Sequence, residues 1–285
     1  MALKHDILAA SYPILRLGKR LENYMRQAEV GRLRVLVYHD IAPHEMARFE
    51  AQIKWLAKDW KFIDSETFTS MMCGEEPIIG DNILLTFDDG FASNRLVAEE
   101  ILNPLGIKAI FFVVAGFIEQ SGSTNAHNFI AKGIMPDMDT AVMPKHWLNM
   151  SWTDLKFLIK TGHTIGAHTE THPRLSEISD ESLLEGEIID SANRLEENLG
   201  VTIDHFAFTF GDHASLSKDA LSVARRRFKY VYTSLRGDNT KGGSTLSVFR
   251  ETVSPNDALY LVGSLLSGGA DWVYRKAKDE YRRYL

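Results

Sequence analysis

Residues 84–90 read LLTFDDG, and residues 168–173 read HTETHP. The first stretch is an apolar run that ends in Asp88 and Asp89, as a buried strand does when it presents acids at its C-terminal tip. The second stretch has two His residues four positions apart and stops at a Pro. One carboxylate and two imidazoles can hold a divalent ion, and the second carboxylate is then left over as a base. Together the two stretches predict a metal-dependent hydrolase site.

The His pair, His168 and His172, is predicted to follow a strand rather than to lie on a helix. A β-branched residue such as Ile165 favours a strand, Gly166 disfavours a helix, and Pro173 prevents a helix from continuing. His168 then ends the strand, and His172 lies in the turn after it. Because side chains at strand ends converge, the two rings can share one ion.

These motifs resemble those of the polysaccharide deacetylase (NodB-homology) family of carbohydrate esterases, and the resemblance extends over residues 33–253. The flanks 151–155, SWTDL, and 162–166, GHTIG, are also similar to the approach to the second family motif. In the family, the first Asp is the general base and the second is a metal ligand. The resemblance therefore implies Asp88 as the base and, as metal ligands, Asp89, His168 and His172.

The general acid requires a separate argument. The family takes this His from a Leu-x-His motif near its C-terminus, whereas no His follows His213 here. Residues 35–40, VLVYHD, instead form an apolar run that ends in His39. This arrangement resembles the circularly permuted branch of the family, in which the last strand is moved to the front, and it implies that His39 is the acid. The alternative is a strand-end His packed under a loop.

The third family motif is altered. Residues 206–212 read FAFTFGD, without the Pro and without the Arg that the family carries there. The resemblance implies that the backbone N–H of Phe210 binds the oxyanion. Arg250, at the end of another strand-like run, is expected to replace the missing Arg and to steady the catalytic Asp. The alternative for Arg250 is a surface salt bridge with Glu251.

Composition narrows the class of protein. The chain has 285 residues, of which 45% are hydrophobic and 25% charged, as in ordinary globular proteins. Its net charge of −6 argues against a nucleic-acid partner, which would require a basic face. The single cysteine, Cys73, excludes an intrachain disulfide and fits a reducing compartment. No apolar run of about twenty residues is present.

Seven strand-like runs alternate with helical segments, which predicts an irregular (β/α)7 barrel of the polysaccharide deacetylase type. The runs are 33–39, 83–89, 108–114, 164–168, 205–210, 230–235 and 245–252. Residues 116–152 lack a clear period and leave a strand tip, so we expect a substrate-facing loop or lid. His127 and His146 lie in it, where either could contact substrate or simply face solvent.

Residues 1–30 are predicted to form an N-terminal helical arm, and residues 31–285 a single catalytic domain. The arm is amphipathic, and it packs on the barrel, pairs with another subunit or lies on a membrane surface. The basic stretch 274–284 is a solvated face or, less commonly, a membrane-surface anchor. A peripheral membrane contact through the terminal helices therefore remains open, and a cytoplasmic location is expected.

These features predict a metal-dependent deacetylase that removes acetyl groups, in particular N-acetyl groups of an amino sugar, from a polysaccharide or glycan intermediate. Zn²⁺ is the expected ion, with nickel, cobalt and iron(II) as alternatives. Three other functions remain open. They are hydrolysis of small-molecule amides on the same fold, glycan binding without catalysis on a decayed scaffold, and phosphoryl transfer with Asp88 as the nucleophile.

Overall fold

The computed structural model describes residues 2–26, 31–136 and 138–285. Eight strands lie within these ranges. They are β1 (Arg32–Tyr38), β2 (Lys61–Ile63), β3 (Asp81–Phe87), β4 (Ala109–Val113), β5 (Thr164–Ala167), β6 (His205–Ala207), β7 (Tyr230–Tyr232) and β8 (Glu251–Thr252).

Twelve α-helices lie in the same ranges. They are α1 (Ala2–Arg26), α2 (Met46–Leu56), α3 (Ser65–Cys73), α4 (Ala92–Val97), α5 (Ala115–Ile118), α6 (Ser123–Phe129), α7 (Trp152–Lys160), α8 (Glu181–Glu185), α9 (Ser191–Leu199), α10 (Lys218–Ala224), α11 (Leu259–Leu266) and α12 (Arg275–Arg282). Single π-helical turns extend α4, α6 and α8. No helix of the described ranges combines the length and apolar character needed to cross a bilayer.

The strands form one parallel sheet in the order β7-β6-β5-β4-β3-β1-β8, with β2 pairing β3. The sheet curls until its two ends meet. Val248, just before β8, forms a parallel bridge with Tyr232 of β7. Its N–H donates to the carbonyl of Val231 at 2.9 Å, and the N–H of Thr233 donates to its carbonyl at 2.9 Å. The predicted irregular α/β barrel is therefore confirmed.

Burial explains why these segments form strands. Residues of β1, β3 and β4 are almost all buried on both faces, as expected of parallel strands that are covered by helices outside and by side chains inside. Large apolar side chains fill the barrel interior, so that the barrel is a packed core and not a pore. They include Leu33, Val35, Leu84, Ile110, Phe112, Tyr232 and Val248.

The register of the sheet brings the candidate site residues to one rim. Tyr38, the last residue of β1, lies opposite Phe87, the last residue of β3. The residues that follow them, His39 and Asp88, therefore leave the sheet at the same level. His168 directly follows β5 at the same carboxyl edge, where parallel barrels place their chemistry.

Several elements differ from the sequence-based expectations. The short strand β2 was not expected. The predicted strand 245–252 is regular only over Glu251–Thr252, and the segment 116–152 contains the helices α5 and α6. In the predicted arm, residues 1 and 27–30 lie outside the described ranges, and α1 lies along α11, where Ser11 Oγ is 2.9 Å from Ser264 Oγ. On α12, Tyr281 is buried and donates to the Leu246 carbonyl at 3.2 Å.

Candidate active site

Three side chains at the rim form a buried cluster that fits a metal ion. Asp89, His168 and His172 each offer one ligand atom, and these atoms lie within 4.8 Å of one another. Asp89 Oδ1 is 3.5 Å from His168 Nε2 and 3.4 Å from His172 Nε2. Zinc with bonds of about 2.0–2.1 Å in tetrahedral geometry sets its ligand atoms about 3.4 Å apart. Asp89 Oδ1 is buried without a hydrogen-bond partner in the described residues, as expected of an atom that binds an ion.

Both imidazoles are oriented by backbone carbonyls. Nδ1 of His168 lies 2.8 Å from the carbonyl oxygen of Ala207, and Nδ1 of His172 lies 3.2 Å from that of Gly133. Because a carbonyl only accepts, each Nδ1 carries a hydrogen and each Nε2 points to Asp89, where its lone pair can bind an ion once that nitrogen is deprotonated. Burial alone would raise the pKa of Asp89, but the two imidazoles hold it well below its ordinary range. The carboxylate is therefore ionised and ready to bind a cation.

Asp88 is held by a buried guanidinium. Arg250 donates from Nη1 to Oδ1 of Asp88 at 2.7 Å and from Nη2 to Oδ2 at 2.8 Å, while its Nε donates to the Thr233 carbonyl at 3.0 Å. Burial acts to raise the pKa of Asp88, but the charge and hydrogen bonds of Arg250, together with the nearby His168 and His39, outweigh it, and the pKa lies below its ordinary value. Asp88 is thus a carboxylate with a fixed orientation, 3.9 Å from His168 Nε2.

The alternative considered for Arg250, a surface salt bridge with Glu251, is not formed. Arg250 is fully buried. Glu251 points instead to Arg34 and Arg236, with ion-pair distances of 3.0 and 2.8 Å. Adjacent residues of a strand point to opposite faces, so Arg250 enters the barrel while Glu251 leaves it.

His39 lies on the wall of the same cavity as the cluster. The cavity has a volume of about 560 Å³ and is lined by polar and by apolar residues, which are called here its polar and its apolar side. The polar side is formed by His39, Asp88, Asp89, His168 and His172. The apolar side is formed by Ile134, Met135, Pro136, Met138 and Phe210. All the sequence-predicted residues except Arg250 therefore line one cavity, and Arg250 reaches it through Asp88.

The backbone of the site is strained. Four non-glycine residues of the described ranges have a positive φ: Asp89 (75°), Thr169 (70°), His172 (62°) and Phe210 (59°). Asp89 and His172 belong to the cluster, and Thr169 and Phe210 lie beside it. Such conformations cost about 1–3 kcal/mol each and persist where the surroundings enforce them. Here Glu187 accepts from the N–H groups of Glu170 and Thr171 at 3.0 and 2.9 Å, and His172 N–H donates to Thr169 Oγ1 at 3.0 Å. The loop is thereby held in the shape that directs both rings inward.

All the residues of the apolar side except Phe210 come from the segment that was predicted to be a lid. Its π-helical turn, Ile130–Ile134, brings the Gly133 carbonyl to His172. A Cβ at position 133 would lie 2.3 Å from the Thr171 carbonyl oxygen, so only glycine permits this approach. The sequence pattern predicted a substrate-facing segment here but did not identify these apolar residues, because they follow no helical or strand period. Asp137 lies outside the described residues.

Asp40 was also missed, although it directly follows His39. Its Oδ2 accepts from Trp147 Nε1 at 2.9 Å and lies 3.0 Å from His146 Nε2, and its Oδ1 accepts from Ser93 Oγ at 2.7 Å. These bonds join the end of β1 to the far end of the lid segment. His146 therefore contacts Asp40 and does not line the cavity, and neither does His127.

Phe210 lines the cavity beside His172. Its ring meets that of His172 edge-on, with centroids 4.8 Å apart, and the guanidinium carbon of Arg174 lies 4.4 Å from its centroid. Its backbone N–H is not used in any hydrogen bond within the described residues. Thr209, where the family has Pro, donates from Oγ1 to the Pro173 carbonyl at 2.5 Å and so ties this turn to the His loop.

Sequence comparisons agree with this geometry. A sequence model of the polysaccharide deacetylases matches residues 77–228, more than half of the chain. YxkH of Bacillus subtilis (strain 168), a protein named as a polysaccharide deacetylase, is 27% identical over 97 residues, which are 32% of this chain and 35% of YxkH. The match therefore spans about a third of that relative's length.

Solved structures share the fold. IcaB from Ammonifex degensii superposes with a TM-score of 0.67 at 22% identity, over 83% of this chain and 97% of IcaB. The Streptococcus pyogenes deacetylase PplD, in complex with acetate, gives 0.64 at 20% identity, over 82% and 98%. The BpsB deacetylase domain from Bordetella bronchiseptica gives 0.63 at 20% identity, over 79% and 97%.

The family match includes both motifs from which the site was predicted, and the fold brings those motifs to one rim of the barrel. The protein therefore belongs to the polysaccharide deacetylase family, whose members are carbohydrate esterases that act on amide bonds.

Proposed function

We propose that the protein is a metal-dependent deacetylase that removes N-acetyl groups of an amino sugar from a polysaccharide or glycan intermediate. One observation carries the proposal. A carboxylate fixed by a buried guanidinium, Asp88, lies beside a buried cluster of one carboxylate and two imidazoles whose Nε2 atoms point to that second carboxylate. Amide hydrolysis at an ion needs both parts, a base and a ligand set with an open position.

Asp89, His168 and His172 would hold the ion. One oxygen and two imidazole nitrogens suit Zn²⁺, and nickel, cobalt or iron(II) also accept such ligands. When bound, the ion supplies a Lewis acid that lowers the pKa of water and polarises the acetamide carbonyl. Three protein ligands leave room for water and substrate, as in catalytic rather than structural sites.

Asp88 acts as the base in this proposal. It removes a proton from the attacking water, whose oxygen forms a bond to the acetamide carbon. Arg250 keeps Asp88 ionised before the reaction and fixes the direction in which it accepts the proton. The N–H of Phe210 donates to the oxygen that becomes negative as the carbon becomes tetrahedral.

His39 acts as the acid. When the carbon–nitrogen bond breaks, His39 donates a proton to the departing amine, so that acetate and a free amino sugar leave. His39 and Asp88 line the same cavity, so one group can give a proton to the leaving amine while the other accepts a proton from water. We further propose that the chain represents the circularly permuted branch of the family, since its acid comes from the first barrel strand.

The cavity supports an acetylated sugar as substrate. Its apolar side suits the acetyl methyl group and the apolar face of a pyranose ring, while the polar side performs the chemistry. The acetate bound to the similarly folded PplD is the expected product. An open cavity on a barrel rim admits one unit of a longer glycan.

Metal content and acetate release, measured on the same preparations, test the proposal. N-acetylated chito-oligomers and an O-acetylated ester provide the two substrate classes. We expect acetate release from the oligomers, and we expect Asp88→Asn to lower the rate on the order of a hundredfold or more while metal remains bound. Asp89→Ala should lose metal and activity together.

Each alternative function has its own outcome. Glycan binding without acetate release would indicate a non-catalytic protein, and turnover of small amides alone would indicate a small-molecule hydrolase. Wild-type turnover by Asp88→Asn would remove Asp88 from the role of base. Lys156→Ala, a change outside the cavity, serves as the matched control and should leave both readouts unchanged.

A further inference from the structure

Helix α1 has two apolar faces, and only one of them packs on the barrel. On the inner face, Tyr12 is buried and lies against α11, and the guanidinium of Arg16 pairs with Asp59. Four large apolar residues point the other way and are 54–73% exposed: Ile7, Ile14, Leu17 and Leu21. This stripe is therefore not needed to hold the helix on the barrel.

The spacing of the stripe places it on a single face. Ile7, Ile14, Leu17 and Leu21 follow one another at seven, three and four residues, which on a helix of 3.6 residues per turn is one continuous line. The described part of the protein has other exposed apolar side chains, but a single exposed Leu or Ile is ordinary. A line of four along one helix marks a contact surface.

One exposed aromatic residue lies against the same helix, and a second follows closely after a segment that meets it. The Tyr260 ring is 5.5 Å from that of Tyr12, and more than half of Tyr260 is exposed. Trp272, 77% exposed, comes three residues after Gly269, where an added Cβ would lie 3.4 Å from Leu15 Cδ1. Tyr and Trp are the residues that favour the boundary between lipid and water.

The charge of α1 indicates which kind of partner this face would bind. The helix sequence carries five Lys and Arg residues against Asp6 and Glu22, whereas the whole chain has 38 acidic and 32 basic residues. A basic helix on an acidic protein is attracted to anionic lipid head groups. Two copies of the protein joined through this stripe would instead bring two basic helices together. We propose that α1 docks the protein on an anionic lipid bilayer, with the stripe of Ile7, Ile14, Leu17 and Leu21 at the boundary of head groups and acyl chains.

Co-sedimentation of the full chain with vesicles tests this proposal. We expect binding to vesicles of phosphatidylcholine mixed with phosphatidylglycerol, weaker binding in high salt, and little binding to phosphatidylcholine alone. The double variant Ile14→Gln/Leu17→Gln should weaken binding about tenfold or more, because two apolar side chains no longer leave water. Ile14→Trp should strengthen it.

Leu183→Gln is the matched control, since Leu183 is 60% exposed on α8, away from the stripe. It should bind as the unchanged protein does. Circular dichroism and thermal unfolding check that every variant is folded. The proposal is overturned if anionic vesicles do not bind the protein, or if the double variant binds as well as the Leu183 control. A dimer in solution that the double variant dissociates would also overturn it, in favour of a second copy on this face.

Discussion

Replacing Arg250 with Met tests how Asp88 is kept ionised in a buried site. Met keeps much of the side-chain volume but removes the charge and all three hydrogen bonds, two to Asp88 and one to the Thr233 carbonyl. Breaking a buried ion pair from one side costs about 3–5 kcal/mol, because the remaining charge is stranded. The Thr233 carbonyl also loses its hydrogen bond from Arg250. We therefore expect the free energy of unfolding to fall by about 4 kcal/mol or more.

The free energy of unfolding is measured by chemical denaturation of the metal-free protein. Asp88→Asn/Arg250→Met removes both charges, and it should be more stable than Arg250→Met by about 1–3 kcal/mol, which is the coupling expected between partners in contact. Arg226→Met removes an exposed guanidinium that pairs with Glu181 and Glu185. Because exposed pairs contribute about 0–1 kcal/mol, this control should change little.

Activity gives a second readout of the same change. Arg250 lowers the pKa of Asp88, so in Arg250→Met that pKa should rise and the acid limb of the profile of kcat/KM against pH should move to higher pH. The reasoning is refuted if Arg250→Met is as stable as Arg226→Met and its acid limb stays in place. Asp88 would then owe its charge to some other group.

Three further changes address other parts of the site and the core. His39→Gln should slow amide hydrolysis on the order of a hundredfold. It should slow hydrolysis of an activated aryl acetate far less, since an aryl oxide leaves without a proton. Equal losses for both substrates in acetate-release assays would argue against His39 as the acid. Asp40→Ala should free the lid segment at Trp147 and lower the free energy of unfolding by about 1–3 kcal/mol. Limited proteolysis should then cleave within residues 119–150, and unchanged cleavage would contradict the role of Asp40. Burial lowers the pKa of His163 to about 4, and its Nδ1 accepts from Ala109 N–H at 3.1 Å. Below about pH 6.5 the unfolded chain therefore binds more protons than the folded protein does. The free energy of unfolding should reach its full value above that pH and fall by up to about 3 kcal/mol as the pH approaches 4. His163→Gln should flatten this fall, and an equally steep one would show that other groups cause it.

Much of the barrel could be predicted from sequence because its strands are buried on both faces. A run such as residues 83–87 is then apolar except for Thr86, whose hydroxyl donates to the Leu36 carbonyl at 2.8 Å. The polar residue that follows this run marks the rim. The strand β2 escaped prediction because three residues give no period. Residues 245–250 are irregular although they were expected to be a strand, because this segment bonds to its neighbours mainly around Val248.

The candidate site could be predicted where its residues are close in sequence. Where they are far apart in sequence, the prediction left alternatives undecided. Asp88 and Asp89 adjoin, and the His pair is four residues apart, so each motif can be found locally. Arg250 and Asp88 are 162 positions apart, and only the closed barrel decides between Asp88 and Glu251 as the partner. The apolar wall was missed because its side chains face a cavity, which imposes no period on them.

The closure of the barrel between β8 and β7 has a consequence for the order of events during folding. The three residues that would hold the ion follow the middle strands β3 and β5, whereas the guanidinium beside Asp88 belongs to the segment that leads into the last strand, β8. A chain whose final strand has not docked can gather the ion's ligands, yet it leaves the adjacent acid without its counter-charge. The charge and orientation of Asp88, the proposed base, therefore depend on the contact that joins the two ends of the sheet.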